Sequence, residues 1–519
     1  MIRARANHYN FAVAFFVALG SLTYGFNSAI IGSVIGLPSF YAYFGFQATT
    51  SYGGSIIGAT NGLYAAGGFI GCWVVNWFLD RLGRKLSIQL ISVLCIISAA
   101  IQTGSVHIAM LLIGRFLNGF AVGLIDCTIP TYISEISPPR QRGRMVCAHG
   151  IGLCVGYALA GWAGVGTYFE PNPAIQWRLC VALQIVAPLL LLIGSPLVPE
   201  SPRWLINKGR DDQGLEVLVN LHQHPTDPDN LGAREEFLQI QKQVALERQR
   251  PTGNIFRLLL NPVYRKRFLY AFFLQALCQS SGVLVINNYM VIELGNLGVT
   301  GWRPLLLNGT YNSWAAIGNW VNSLLVDRFG RIRVIATGLT GGMVAVILTT
   351  AMIANYGGVE NTNKVGAGFG IAFMFVFGTF YGSCVDATSY VYCSEIFPTQ
   401  VRAQGIGFST SALFLFTIVY TTAAGPAFNS IGWRFYLIFI ILPAIMIPVV
   451  IKFFPETKNL SLEEIGALFG DEVALDITHL SEKERQELEE RISRPLASPQ
   501  IEESEGFKNT QEQIEAVEV

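Results

Sequence analysis

The chain has 519 residues, of which 51% are apolar and only 13% charged, with 35 basic and 35 acidic side chains. Its charged share is about half that of an ordinary soluble domain, so the composition excludes one and reads as a membrane protein. The balanced charge, without a basic tract, gives a nucleic acid no footing, and the nine cysteines show neither a CxxC nor a paired outer pattern, so no disulfide, metal site or cofactor is expected.

In chain order, apolar windows of about 20 residues, enough to cross a hydrocarbon core of about 30 Å, begin near residues 10, 57, 87, 109, 146, 178, 268, 304, 334, 366, 404 and 433. They divide the chain into a cytoplasmic N-terminus (1–9), a six-helix bundle (10–198), a cytoplasmic connecting segment (199–265), a second six-helix bundle (266–454) and a tail (455–519). The stretch from Phe11 to Leu19 continues through Tyr24 to Ile35 without a small-residue cleavage site, so it is read as the first span and not as a signal peptide. Arg81, Arg84, Lys85, Arg144, Arg203, Arg265, Arg328 and Arg333 fall in connections on one side, whereas residues 36–56 on the other side carry no Lys or Arg. The positive-inside rule then puts both termini in the cytoplasm. Between the bundles, Arg234 to Arg250 reads as an amphipathic helix. In the tail, Ser481 to Arg491 reads as a short solvated helix, and the acidic stretch beyond Pro495 as disordered.

One pattern occurs twice. Asp126, Thr128, Tyr132, Ser134, Glu135, Ile136, Pro138 and Arg142 recur 260 residues later as Asp386, Thr388, Tyr392, Ser394, Glu395, Ile396, Pro398 and Arg402. Asp80-Arg-Leu-Gly83-Arg84 likewise recurs as Asp327-Arg-Phe-Gly330-Arg331, and Pro199-Glu200-Ser201 as Pro455-Glu456-Thr457, in the same order within each half. A repeat this long marks a duplicated half-molecule, not a solenoid. The expected fold is therefore an all-α membrane protein with twelve transmembrane helices in two pseudo-symmetric six-helix bundles. At the inner helix ends, Asp80, Arg84, Glu135, Arg142, Glu200, Asp327, Arg331, Glu395, Arg402 and Glu456 can pair across the two halves while the cytoplasmic side is closed, and would then act as a latch. The simpler alternative is that they are helix-end partners and positive-inside charges.

Ionisable groups inside a membrane are costly and therefore candidates for function. Arg115 and Asp126 lie eleven residues apart, which places them within about 20° around a helix but roughly 16 Å apart along it. Asp386 is the counterpart of Asp126, and these two carboxylates stand either as proton carriers or as structural groups. In the eighth span, Asn308, Asn312, Asn319 and Asn322 are confined to about an 80° sector, and Gln275 and Gln279 form a similar face in the seventh. Amides suit sugar hydroxyls, and Tyr289, Tyr311 or Tyr390 can cover the apolar faces of a pyranose; helix–helix glue is the alternative use of such amides. Gly67 and Gly71, and Gly152 and Gly156, read as close-packing surfaces.

Gly114-Arg115-Phe-Leu-Asn-Gly119-Phe-Ala-Val-Gly123, Tyr132-Ile-Ser-Glu135-Ile, Pro199-Glu-Ser-Pro-Arg203-Trp-Leu, Asp327-Arg-Phe-Gly-Arg331, Tyr392-Cys-Ser-Glu395-Ile-Phe-Pro398 and Pro455-Glu-Thr-Lys458 together resemble the sugar porter family of the major facilitator superfamily. Leu462-Glu-Glu-Ile465-Gly-Ala-Leu-Phe469 resembles its fungal members, and the likeness covers about residues 10 to 471. It implies the major facilitator fold, alternating access and the cytoplasmic latch. It also implies that an acidic residue of the first span faces Arg115 in proton-coupled members. Here that position is Asn27, which cannot carry a proton, so the chain resembles facilitative uniporters. The seventh-span pattern is departed from at Cys278-Gln279-Ser-Ser-Gly282-Val283, the paired tyrosines read Asn288-Tyr289, the fifth-span glutamine reads Gly150 beside His149, and the tenth-span tryptophan reads Tyr390.

The expected function is transport of a monosaccharide or related polyhydroxylated solute by facilitated diffusion, across what is expected to be the plasma membrane, by a monomer whose partners are that solute and the lipid bilayer. No catalytic set or nucleotide loop is present, so an enzyme is not expected. Two alternatives stay open: a proton-coupled sugar or polyol symporter using Asp126 or Asp386, and a non-transporting nutrient sensor.

Overall fold

In hydrocarbon, each backbone N–H and C=O has to be satisfied within its own segment, so an apolar stretch of this length has little choice but helix. The computed structural model describes residues 7–47, 50–138, 141–223, 227, 229–249, 255–356, 363–398, 401–458, 460, 465–466 and 468–470. Among them, ten helices are long and apolar enough to cross a membrane. One of these, Ser51–Thr103, runs for 53 residues and contains a non-helical residue at Gly83; at about 1.5 Å per residue it is long enough to cross twice. Arg303–Phe329, 27 residues long, is kept out of the purely apolar set by its amides and is the eighth span. The described residues thus hold twelve crossings, as expected from the windows.

Two spans are interrupted where they pass the centre of the molecule. The seventh consists of Pro262–Ser280 and Val283–Asn296, separated at Gly282, whose φ of 88° is left-handed and suits a residue without a side chain. The tenth consists of Lys364–Phe380 and Asp386–Glu395, joined by a π-helical turn at Tyr381–Val385. Such a turn holds one more residue than an α-helical turn and re-aims the side chains that follow, a device common at functional sites.

The halves meet along two long seams. The second span packs on the eleventh, where a Cβ on Gly58 would lie 2.7 Å from the Thr422 carbonyl oxygen and one on Gly425 2.6 Å from that of Gly54. The fifth packs on the eighth, where a Cβ on Gly161 would lie 2.6 Å from the Gly309 Cα. Gly67 and Gly71 instead face the fourth span, and Gly152 and Gly156 the first, so these pairs are close-packing surfaces inside the first half.

Between the halves, the connecting segment forms Pro202–Asn207, Asp211–His222 and Leu231–Gln249. Ala233, Phe237, Ile240 and Val244 of Leu231–Gln249 form with Ile206 and Leu218 a small core separate from that of the spans. His222 ties this core to the membrane domain. Its Nδ1 lies 3.0 Å from Glu236 Oε2 and its Nε2 3.2 Å from the carbonyl of Ile136 at the end of the fourth span, which also accepts from Asn10 Nδ2 at 2.9 Å. Burial disfavours the charged imidazole, but Glu236 and the Ile136 carbonyl outweigh it, so His222 titrates above the ordinary histidine value. The helix expected at Ser481 to Arg491 lies outside the described residues.

Candidate functional site

A cavity lies between the halves, and most of its wall comes from the second. The broken seventh span supplies Gln275, Gln279 and Asn287, the eighth Tyr311 and Asn312, and the tenth Tyr381, Asp386 and Tyr390. The first half adds Tyr24, Leu153, Cys154 and Tyr157. Asn312 Nδ2 donates to Asn308 Oδ1 at 3.0 Å and Asn287 Oδ1 at 3.3 Å, which holds the amides in a fixed array. Gln275 Oε1 and Gln279 Oε1 are buried without a hydrogen-bond partner. Because buried polar atoms are nearly always satisfied, two acceptors left open beside a cavity are suited to ligand hydroxyls.

Of the residues expected to contact a solute, Gln275, Gln279, Asn312 and Tyr390 line this cavity, while Asn319 and Tyr289 do not. Tyr289 is fully buried and donates to the Thr421 carbonyl at 2.8 Å; two positions after Asn287 it points about 200° away around the helix. Asn319 donates to Asp386 Oδ2 at 2.9 Å and Asn322 accepts from Thr388 at 2.7 Å, so the lower part of the amide stripe bonds the eighth span to the tenth. Sequence reasoning missed Tyr24, Tyr157, Tyr381 and Asn287. Their signal is weak, since tyrosines occur on many faces and the turn that aims Tyr381 follows from tertiary packing.

The two repeated aspartates both reach across to the opposite half. Asp126 of the fourth span is fully buried, with Oδ1 3.2 Å from His149 Nε2 and Oδ2 accepting from Tyr390 at 3.3 Å. His149 Nδ1 lies 2.8 Å from Ser21 Oγ, and its ring meets Tyr390 edge-on at 4.8 Å. Asp386 of the tenth span accepts from Cys154 Sγ of the fifth at 3.2 Å.

Arg115 is fully buried. It donates from Nη1 to the backbone carbonyl of Asn27 at 2.9 Å and lies 4.3 Å from the centre of the Tyr64 ring, a cation–π contact. The Asn27 side chain turns the other way, its Oδ1 accepting from Asn118 at 3.4 Å. The position does face Arg115, but through the main chain.

At the helix ends that carry the repeated charged motifs the duplication is reproduced in detail. Arg84 pairs with Glu135 at 2.6 Å, and Arg331 with Glu395 at 2.8 Å and with Asp327 at 3.0 Å. Glu200 accepts the backbone N–H of Arg84 at 2.8 Å and of Lys85 at 3.2 Å, while Glu456 accepts those of Arg331 at 2.8 Å and Ile332 at 3.0 Å. A carboxylate thus caps the third span and another the ninth, each favoured by the positive end of the helix dipole. Gly83 (φ 81°) and Gly330 (φ 95°) make the turns, and a Cβ on either would press on the capping carboxylate, 2.5 Å from Glu200 Oε2 and 2.7 Å from Glu456 Oε2. In this structure these pairs run inside each half. The reason is the glycine turn, which brings the arginine back onto the glutamate of its own bundle. Arg402 donates to the Phe397 carbonyl at 3.3 Å, Asp80 accepts through its carbonyl from Trp204 at 3.2 Å, and the side chain of Arg142 lies outside the described residues.

The family described as sugar (and other) transporter matches residues 13–469. An MFS-type transporter of Aspergillus cristatus, criB, is 31% identical over 92% of this chain and 96% of its own length. A high-affinity glucose transporter of Kluyveromyces lactis is 29% identical over 89% of this chain and 85% of its own, and a probable quinate permease of Aspergillus flavus 28% over 98% and 97%. Among solved structures, the proton:xylose symporter XylE bound to 6-bromo-6-deoxy-D-glucose matches with a TM-score of 0.76 at 22% identity, covering 89% of this chain and 99% of that one. That likeness bears on the fold, and the fold is that of the major facilitator superfamily.

Proposed function

This chain belongs to the sugar (and other) transporter family, and from that premise we propose that its central cavity carries a monosaccharide or closely related polyhydroxylated solute by alternating access. The observation that carries the reading is the array of Gln275, Gln279, Asn287 and Asn312 beside tyrosine rings, with two amide oxygens left open. Amides donate and accept at once, and rings cover the apolar faces of a sugar. The relatives' own solutes, glucose in one and quinate in another, differ in charge, so the solute is assigned from the residues and not from likeness.

Transport is read as facilitated diffusion, because Asn27 offers Arg115 a carbonyl and no carboxylate. Each half keeps its Arg–Glu cluster as a rigid cytoplasmic corner, and the halves rock about the seams between them. The protein acts as a monomer in the plasma membrane with both termini in the cytoplasm, as a carrier and not an enzyme. A second reading, proton-coupled transport, is favoured by the contact of Asp126 with His149 and Tyr390 beside the cavity.

The test is uptake of labelled hexoses, pentoses and polyols in cells lacking their own sugar carriers, with and without a protonophore. Uptake that persists without the proton gradient is expected; uptake that collapses moves coupling to Asp126, and no uptake of any solute in the panel defeats the carrier reading. In the same cells Asn27→Asp is expected to create a pH dependence absent from the parent, and an unchanged profile with normal membrane abundance would remove Asn27 as the coupling position.

A further inference from the structure

Asp386 sits in the cavity wall in a manner that its repeat partner does not share. It is partly exposed, whereas Asp126 is fully buried. Both of its hydrogen bonds, from Asn319 Nδ2 at 2.9 Å and Cys154 Sγ at 3.2 Å, end on Oδ2. Oδ1 is left for whatever fills the cavity. No Lys, Arg or His is among the residues that line it. Arg115 is committed to the Asn27 carbonyl and the Tyr64 ring, and His149 to Asp126 and Ser21. The open atoms of Gln275 and Gln279 are likewise acceptors. The cavity therefore offers a carboxylate, amide groups and phenols, and no Lys, Arg or His.

This combination distinguishes solutes by charge. A hydroxyl can donate to Asp386 Oδ1 in a charge-assisted hydrogen bond, which is stronger than a neutral one. An ammonium group can pair with the same oxygen while tyrosine rings surround it. A carboxylated solute would bring a second anion beside the Asp386 carboxylate in a cavity whose wall holds no Lys, Arg or His, where like charges repel. Rejection of this kind needs an unfavourable contact for the wrong solute, and Asp386 supplies it.

We propose that Asp386 sets the charge selectivity of the carrier, admitting neutral and amine-bearing polyhydroxylated solutes and rejecting carboxylated ones. The inference rests on the reading of the cavity as the path of such solutes. Its test uses the purified full-length chain and three ring-matched probes, D-glucose, D-glucosamine and D-glucuronate, with binding read from thermal stabilisation at constant ionic strength. D-glucuronate is expected to bind at least about tenfold more weakly than D-glucose, and D-glucosamine at least as well as D-glucose. Asp386→Asn, which keeps an acceptor for Asn319, is expected to narrow the glucose–glucuronate gap to about threefold or less, while Asp386→Glu keeps it. Equal binding of D-glucuronate and D-glucose to the parent chain overturns the proposal and leaves the solute class standing, as does a gap that Asp386→Asn leaves unchanged. Binding of none of the three overturns the charge selectivity as stated, while the solute class stands or falls on the uptake panel.

Discussion

Asp126 and Asp386 occupy the same place in the two copies of the repeat, yet one is sealed against His149 and the other faces the cavity. Arg84 and Arg331, at matching helix ends of the same halves, do the same work twice, each pairing with a glutamate of its own bundle behind a left-handed glycine. The contrast separates two kinds of constraint. A helix corner has one good solution in which a glycine turns the chain, a carboxylate caps the next helix and an arginine locks onto a neighbouring glutamate, so both halves adopt it. The cavity lies between the halves, where nothing imposes two equivalent walls, and there the copies have diverged: the second half supplies most of the wall.

The largest expected effects test the shared corner. Removing one partner of a buried ion pair leaves the other charge stranded, at about 3–5 kcal/mol, so Arg84→Ala and Glu395→Ala should each strongly lower the thermal midpoint of the purified protein. A large loss in one half only would break the equivalence of the corners. Next in size, Gly83→Ala and Gly330→Ala force a side chain into a left-handed backbone and against Glu200 or Glu456; each should cost about 1–3 kcal/mol, measured by the same midpoint. If either is neutral, that corner is not held by its capping carboxylate.

The aspartates should differ in kind more than in size. Asp126→Asn disturbs a buried contact with His149 and is expected to cost about 1–3 kcal/mol of stability, whereas Asp386→Asn should change apparent affinity for solute with a smaller change in midpoint. If both variants alter affinity alike, the two positions share one role and the contrast fails. The smallest effect concerns the connecting segment. Because Glu236 raises the folded-state titration of His222, that pair stabilises fully below the ordinary histidine value of about 6.5 and less as pH rises through the folded value. His222→Gln should therefore flatten the fall in thermal midpoint across that window; an unchanged slope would mean that another group sets it.

The sequence by itself determined the twelve spans, the duplication and the corner residues at the helix ends. Spans are legible because the bilayer imposes one length and one secondary structure, and corners because Gly, Arg and Glu must recur at fixed spacing to make them. It also picked out Gln275, Gln279, Asn312 and Tyr390, since amides on one face of an apolar helix demand an explanation. The tertiary structure alone decided which amides face the cavity and which bond helices together, that Tyr289 points away from it, that the Arg–Glu pairs stay within a half, and that Asp386 but not Asp126 lines the cavity. Those outcomes turn on where a helix breaks at Gly282 and gains a residue at Tyr381–Val385. A rotation of this kind is set by the packing of neighbouring helices, and no local pattern in the chain encodes it.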